Sequence, residues 1–147
     1  MTTSSRPRLD KGPIEHRLIT MRKSIGQLES AGPVNVTRLA ENPATGLVVE
    51  RILAILDDLA QAINRDVGAV VLGERPKTSA ASFRAAQKSG LIDPALADTL
   101  VPEDGPHHVL VQLHLDSAPE AIEAIVDSAI SGYREYVRQV SDWTAAQ

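Results

Sequence analysis

The residues from Asn42 to Val71 constrain the fold most, because they carry apolar side chains at helical spacing along two neighbouring stripes. Asn42 is a residue type that caps helix N-termini, and Pro43 fits the first turn of a helix. Two adjacent apolar stripes predict one long helix with a wide buried face, as at the centre of a helical bundle. One stripe contains Val48, Ile52, Ile55, Leu59 and Ala62, and the other contains Val49, Leu53, Leu56, Ala60, Ile63 and Val67.

Four further segments have helical patterns and recognisable ends, and residues 34–41 are expected to be a connector. Pro102 and Pro106 interrupt the helical pattern before a stretch rich in histidine. Asp116 or Ser117 can cap the last helix. The predicted helices run from about Pro13 to Ser30, from Thr78 or Ser79 to about Ser89, from Asp93-Pro94 onwards, and from Asp116 or Ser117 to near Trp143.

The composition supports an all-α fold. Hydrophobic residues make up 43% of the 147 residues but aromatic residues only 3%, so the core must be aliphatic. Alanine and leucine favour helices and let them approach closely. We predict an all-α, mainly antiparallel bundle of about five helices, two of them long, with residues 1–11 as a flexible tail and residues 12–144 as a single domain.

Charge and cysteine content narrow the classes of function. The net charge of −4 argues against bulk electrostatic binding of nucleic acid, although a small basic groove stays possible. The absence of cysteine excludes disulfides, thiolate chemistry and cysteine-based zinc sites. There is no apolar run of about 20 residues and no signal-peptide pattern, so a cytoplasmic protein without membrane contact is expected.

Three of the four histidines lie between Gly105 and Asp116. On a helix, His107 and His114 point in similar directions but lie about 10.5 Å apart, which is too far for one metal ion. His108 and Gln112 are one turn apart, but glutamine is a poor zinc ligand, so neither a metal nor a cofactor is predicted. Adjacent helical residues point about 100° apart, so Asp57 and Asp58 are expected to form a solvated edge rather than a metal pair.

Three segments resemble the HepT-like proteins, a bacterial branch of the HEPN superfamily. Ser82-Phe83-Arg84 and Gly90-Leu91-Ile92 resemble the family's "Ser-Tyr-Arg" and "Gly-Ile-Leu" segments. The stretch from Gly105 to His114 matches the length and aliphatic positions of the family signature "Gly-Phe-Arg-Asn", aliphatic residues, then "His-x-Tyr". The resemblance covers about residues 13–143 and implies a dimeric helical toxin that cuts RNA without a metal, encoded beside a nucleotidyltransferase antitoxin that modifies the motif tyrosine.

The polar residues of the signature are all replaced. The family's Arg falls at His107, its Asn at His108, its His at Gln112 and its Tyr at His114. Glutamine cannot exchange a proton near neutral pH, and histidine is a weak substitute for the arginine that grips phosphate. The resemblance therefore implies a protein of toxin–antitoxin ancestry whose ribonuclease activity is reduced or lost, and which binds RNA or a protein partner as a homodimer.

Two alternatives stay open at this point. His107 and His114 could replace the usual catalytic pair in an active, metal-independent endoribonuclease, because histidine titrates near neutral pH. The chain could instead be a structural or antitoxin-like helical partner. Arg51 and Arg84 could contact phosphate or be ordinary surface charges, His16 is expected to be solvated or packed, and residues 134, 135 and 138 are expected to form an exposed, paired face.

Overall fold

The computed structural model describes residues 8–101 and 121–147, and these residues form six α-helices and no strand. The all-α prediction is confirmed. The helices are α1 (Lys11–Ser30), α2 (Val36–Glu41), α3 (Ala44–Val71), α4 (Ser79–Lys88), α5 (Pro94–Leu100) and α6 (Ile122–Ala145).

Polar side chains fix the start of four of these helices. The side-chain oxygens of the four caps each accept a hydrogen bond from a backbone N–H of the first turn, which would otherwise lack a partner. After α4 the chain turns through Gly90, whose φ of +79° is accessible to glycine at little cost. The predicted boundaries of α4 and the predicted start of α5 are thereby confirmed. The capping residues are Asp10, Asn35, Thr78 and Asp93.

Two predictions near the start of α3 are wrong. Residues 34–41 are not only a connector, since Asn35 accepts a hydrogen bond from the Arg38 N–H (2.9 Å) and begins the short helix α2. The side chain of Asn42 does not cap α3. The carbonyl of Asn42 instead accepts a backbone hydrogen bond from Thr45 at 3.0 Å, so the chain passes from α2 into α3 through backbone bonds.

The directions of the long helices follow from contacts at their ends. The Lys11 ammonium donates to the carbonyl of Gln147 (2.8 Å), so the start of α1 lies beside the end of α6. The start of α1 also lies beside the end of α3, because Arg17 pairs with Asp66 at 2.5 Å. Helix α1 is therefore antiparallel to both α3 and α6, and α3 and α6 run in the same direction.

One hydrophobic core draws side chains from all six helices. It is mainly aliphatic, as predicted, but Phe83, Tyr133 and Tyr136 are fully buried at its centre. On α3 the stripe that begins at Val49 is buried, whereas Val48 on the adjacent stripe is 54% exposed. The buried face of α3 is therefore narrower than predicted. The predicted caps of the last helix, Asp116 and Ser117, lie outside the described residues.

Candidate functional site

The predicted site residues His107, His108, Gln112 and His114 all lie outside the described residues. The described chain on either side of them belongs to α5 and α6. A Cβ atom on Gly132 would lie 3.1 Å from Leu100 Cδ2, so the end of α5 packs closely on α6. Ala121 precedes Gly132 by eleven residues, which is about 16 Å along a helix. The described ends at residues 101 and 121 are therefore held by the same helix.

Two reciprocal hydrogen bonds between Asp93 and Gln139 fix the packing of α5 on α6. The Asp93 N–H donates to Gln139 Oε1 at 2.8 Å, and Gln139 Nε2 donates back to Asp93 Oδ2 at 2.8 Å. Asp93 Oδ1 meanwhile caps α5 by accepting from the Leu96 N–H at 2.7 Å. The side chain that begins α5 therefore also attaches it to α6.

A buried polar chain joins α3, α4 and α6 in the interior. The hydroxyl of Tyr136 donates to Asn64 Oδ1 at 2.7 Å and also lies 3.1 Å from the carbonyl oxygen of Ala60. Asn64 Nδ2 donates to Ser82 Oγ at 3.3 Å, and Ser82 Oγ donates to the carbonyl of Ser79 at 2.8 Å. Asn64, Ser82 and Tyr136 are fully buried, so each hydrogen bond replaces one that water would otherwise make.

The two buried tyrosines are not set up for proton transfer. Burial raises the pKa of both Tyr133 and Tyr136 well above the ordinary value of 10.0, and the charges of Asp57 and Asp58 raise that of Tyr133 further. A phenol whose pKa is raised stays neutral near pH 7 and can only donate or accept hydrogen bonds. The ring of Tyr136 meets Phe83 edge-on, with centroids 6.1 Å apart. These residues therefore stabilise the bundle rather than supply an acid or base.

Asp57 corrects one sequence-based prediction. Its side chain is only 8% exposed, accepts from Gln61 Nε2 at 2.6 Å, and lies 3.4 Å from the donor Ser79 Oγ. Asp58, the next residue, is exposed as predicted. The two carboxylates diverge because successive helical residues point about 100° apart, and Asp57 faces α4 while Asp58 faces solvent.

The polar face between α1 and α6 is charge-balanced. It borders a groove of about 440 Å³, where Arg134 pairs with Glu29 at 2.5 Å and Arg22 donates to Ser141 at 2.8 Å. Arg138 lies beside Glu135, and its hydrogen bonds lower the pKa of that carboxyl to about 2. The prediction of an exposed and paired face is confirmed for residues 134, 135 and 138, and the pairing leaves these cations little excess charge for an anion.

Three other residues singled out from the sequence are on the surface. Arg84 pairs with Asp98 at 2.8 Å and donates to Gln87 at 3.1 Å, so it is a surface charge bound within the fold. His16 is exposed. Arg51 is also exposed, and it makes no hydrogen bond or ion pair with any residue that the structure describes.

A cluster of arginines at the end of α3 was not singled out from the sequence. Asp66 pairs with Arg17 at 2.5 Å and with Arg75 at 3.1 Å, joining α1, α3 and the segment after α3. Arg65 Nε donates to the carbonyl of Pro76 at 3.0 Å. These contacts hold residues 74–79 against α3, and no local sequence signal identifies partners so far apart in the chain.

Within the described ranges, no group of three or more His, Cys, Asp or Glu side chains could hold a metal ion. No helix among them is long and apolar enough to cross a membrane.

The comparisons with known proteins agree with the resemblance found in the sequence. No family model matches the chain. The chain is 23% identical over 130 residues to a protein named "tRNA nuclease HepT" from Aphanizomenon flos-aquae, and the match covers 88% of each protein. A distant relative of this kind, matched over most of its length, supports a HepT-like relationship for this all-helical chain.

Proposed function

We propose that this chain is a HepT-like helical protein of toxin–antitoxin ancestry, with one domain over residues 12–144, which binds RNA and has reduced or lost ribonuclease activity. The observation that carries the proposal is the similarity to a tRNA nuclease across 88% of both chains. The all-α architecture is consistent with it. Transfer RNA is therefore the first ligand to test.

The reduced activity follows from the chemistry of the altered motif. Gln112 stands where the family has the histidine that moves protons, and an amide cannot do so near pH 7. His107 replaces the arginine that would neutralise phosphate, and an imidazole lacks the permanent charge and the forked pair of donors of a guanidinium group. Since His114 offers no phenol, a nucleotidyltransferase antitoxin could not modify this position as it does in the family.

Two alternative functions follow from the same residues. The seven-residue spacing of His107 and His114 favours an active, metal-independent endoribonuclease in which these histidines form an acid–base pair. The net charge of −4 favours a helical partner that binds a protein, such as an antitoxin, instead of RNA. In each case the protein is expected to act as a homodimer.

The test compares binding and cleavage of tRNA in EDTA by the wild type and by Gln112→His. We expect the wild type to bind with an affinity that falls steeply with salt, and to cleave near the buffer blank. Gln112→His restores the proton-transfer group at its family position, so cleavage should rise at least about tenfold. Gln27→His, at an exposed position on α1, is the matched control and should leave cleavage unchanged.

Each other outcome selects a different function. Rapid cleavage by the wild type that disappears in His114→Ala would establish the active endoribonuclease and refute the loss of activity. Absence of tRNA binding even at low salt would refute the RNA-binding role and leave the protein-binding one. Equal cleavage by Gln112→His and Gln27→His would show that position 112 is not part of a ribonuclease motif.

A further inference from the structure

Helix α3 carries an apolar stripe that the rest of the described structure leaves open. Leu47 is 64% exposed and Val48 54% exposed, and Ile55, Leu59 and Ala62 are partly exposed. We call these five residues the α3 seam. Val48, Ile55 and Ala62 are spaced by seven residues, so they follow one side of the helix. Isolated exposed apolar residues are common, but a continuous stripe of them along a helix indicates a contact surface.

Neighbouring elements border the α3 seam without covering Leu47 and Val48. Helix α1 lies on one side, where Arg17 reaches Asp66. On the other side, Arg65 holds the segment that contains Pro76. The 28 residues of α3 extend over about 42 Å, so the seam offers a long, straight face to another helix.

Charges beside the line of Val48, Ile55 and Ala62 in the α3 seam indicate what that other helix is. Arg51 and Asp58 are exposed and lie seven residues apart, so they occupy equivalent positions along the seam. Neither makes a hydrogen bond or ion pair with another residue in the described part of the chain. Two opposite charges at equivalent positions are complementary to a second copy of the same helix, provided that this copy runs in the opposite direction.

The geometry of such a pair fixes its register. A two-fold axis at right angles to α3, passing between Ala54 and Ile55, maps each helix onto an antiparallel copy. In that arrangement Arg51 lies opposite Asp58 of the second copy, and the symmetry repeats the pair. Ile55 lies beside the axis, offset by only about 1.5 Å along the helix from its own equivalent in the second copy. A parallel pairing in register would instead set the two Arg51 side chains at the same height.

We infer that the α3 seam is the interface between two copies of this chain, packed antiparallel about Ile55 and flanked by two Arg51–Asp58 ion pairs. The apolar side chains supply the buried area, and the flanking charges select orientation and register, as in coiled coils. This inference rests on the homodimer named in the proposed function, but it requires no RNA. It assigns the partner of the open face to a second copy.

The charges can be tested by reversal and exchange, followed by sedimentation equilibrium without RNA. Arg51→Glu places a carboxylate opposite Asp58, and Asp58→Lys places an ammonium group opposite Arg51, so each variant should raise the dimer dissociation constant at least about tenfold. A mixture of the two variants should form heterodimers, because each interface then contains two opposite-charge pairs. Lys88→Glu, at an exposed position on α4, is the control and should dimerise like the wild type.

The register can be tested by cross-linking, because the chain has no cysteine. In Ile55→Cys the two thiols should lie close to each other across the two-fold axis. Diamide, which accepts the two electrons and two protons released when a disulfide forms, should convert this variant to a covalent dimer. Lys88→Cys is the control and should cross-link much more slowly at the same concentration.

The outcomes separate this inference from the proposed function. A wild type that is monomeric at about 100 μM, far above the dissociation constants of stable dimers, would overturn both the homodimer and the interface. A wild-type dimer that survives both charge reversals, or that cross-links no faster through Ile55→Cys than through Lys88→Cys, would overturn the interface alone. Loss of dimer in each single variant and its recovery in the mixture would support the interface, whatever the result with tRNA.

Discussion

Replacing Tyr136 by phenylalanine removes one hydroxyl from the centre of the bundle and little else. That hydroxyl donates to Asn64 Oδ1 at 2.7 Å and lies 3.1 Å from the carbonyl of Ala60. The Ala60 carbonyl keeps its helical hydrogen bond from the residue four positions later. Asn64 Oδ1 loses its partner in a site that water does not reach, since Asn64 is fully buried.

The expected loss of stability follows from that one unsatisfied acceptor. A buried polar atom deprived of its partner costs about 1–3 kcal/mol in the free energy of unfolding. For a protein of this size, about 2 kcal/mol corresponds to a fall of about 4–8 °C in the midpoint of thermal unfolding. The aromatic contact between residue 136 and Phe83 is kept in the variant, so no further loss is expected from packing.

Thr99→Val is the matched control. The Thr99 hydroxyl also donates to a helix carbonyl, that of Ala95 at 3.1 Å, but Thr99 is exposed, so water can replace the lost hydrogen bond. Urea unfolding at a fixed protein concentration, followed by circular dichroism and by the fluorescence of the single tryptophan Trp143, gives both free energies. If Tyr136→Phe lowered the free energy of unfolding no more than Thr99→Val does, the stabilising role of the hydrogen bond from Tyr136 to buried Asn64 would be refuted. In a double-mutant cycle, Asn64→Ala should cost less in the Tyr136→Phe background than in the wild type.

Two further predictions concern glycine positions and pH. A Cβ on Gly26 would meet nothing within 4 Å, so Gly26→Ala should stabilise α1 by up to about 1 kcal/mol. Gly68→Ala should instead destabilise the protein, because its Cβ would lie 3.1 Å from the backbone carbonyl of Glu74. Equal shifts of the thermal midpoint in the two variants would contradict this prediction. Glu135 has a pKa lowered to about 2 by Arg138, so its small stabilising effect is complete above pH 4.5 and is lost as the pH falls through 2. The difference in thermal midpoint between the wild type and Glu135→Gln should therefore shrink on acidification over this range at low salt, and a constant difference would reject the pairing.

Helix starts and ends were the most predictable part of the fold. Thr78 and Asp93 each accept a hydrogen bond from the first turn of a helix, as their positions before helical segments suggested. This works because a cap acts on residues two or three positions away, so its signal is local. Asn42 is the counterexample: a short helix ends at Glu41, and backbone bonds take the place of the side-chain cap.

The candidate site was predicted from an altered motif alone. The prediction that Gln112 stands where the HepT-like proteins have a histidine rests on the resemblance in sequence, and its chemical consequence is that an amide cannot transfer a proton near neutral pH. Its residues fall outside the described ranges, so the role of the motif stays a prediction. The buried chain from Tyr136 to Asn64 was not predicted, because its members are 72 positions apart and neither lies in a recognisable motif.

The sequence by itself determined the all-α class and the approximate extent of most helices, because helical periodicity and capping act over short distances along the chain. The altered motif at residues 105–114 is a prediction from the same sequence. Only the tertiary structure decided which stripe of α3 is buried and that Asp57 faces inward while Asp58 faces solvent. Both stripes of α3 have similar apolar composition, and what separates them is the position of α1, α4 and α6 around the helix. That position is set by the packing of residues far apart in the sequence, which no local pattern records.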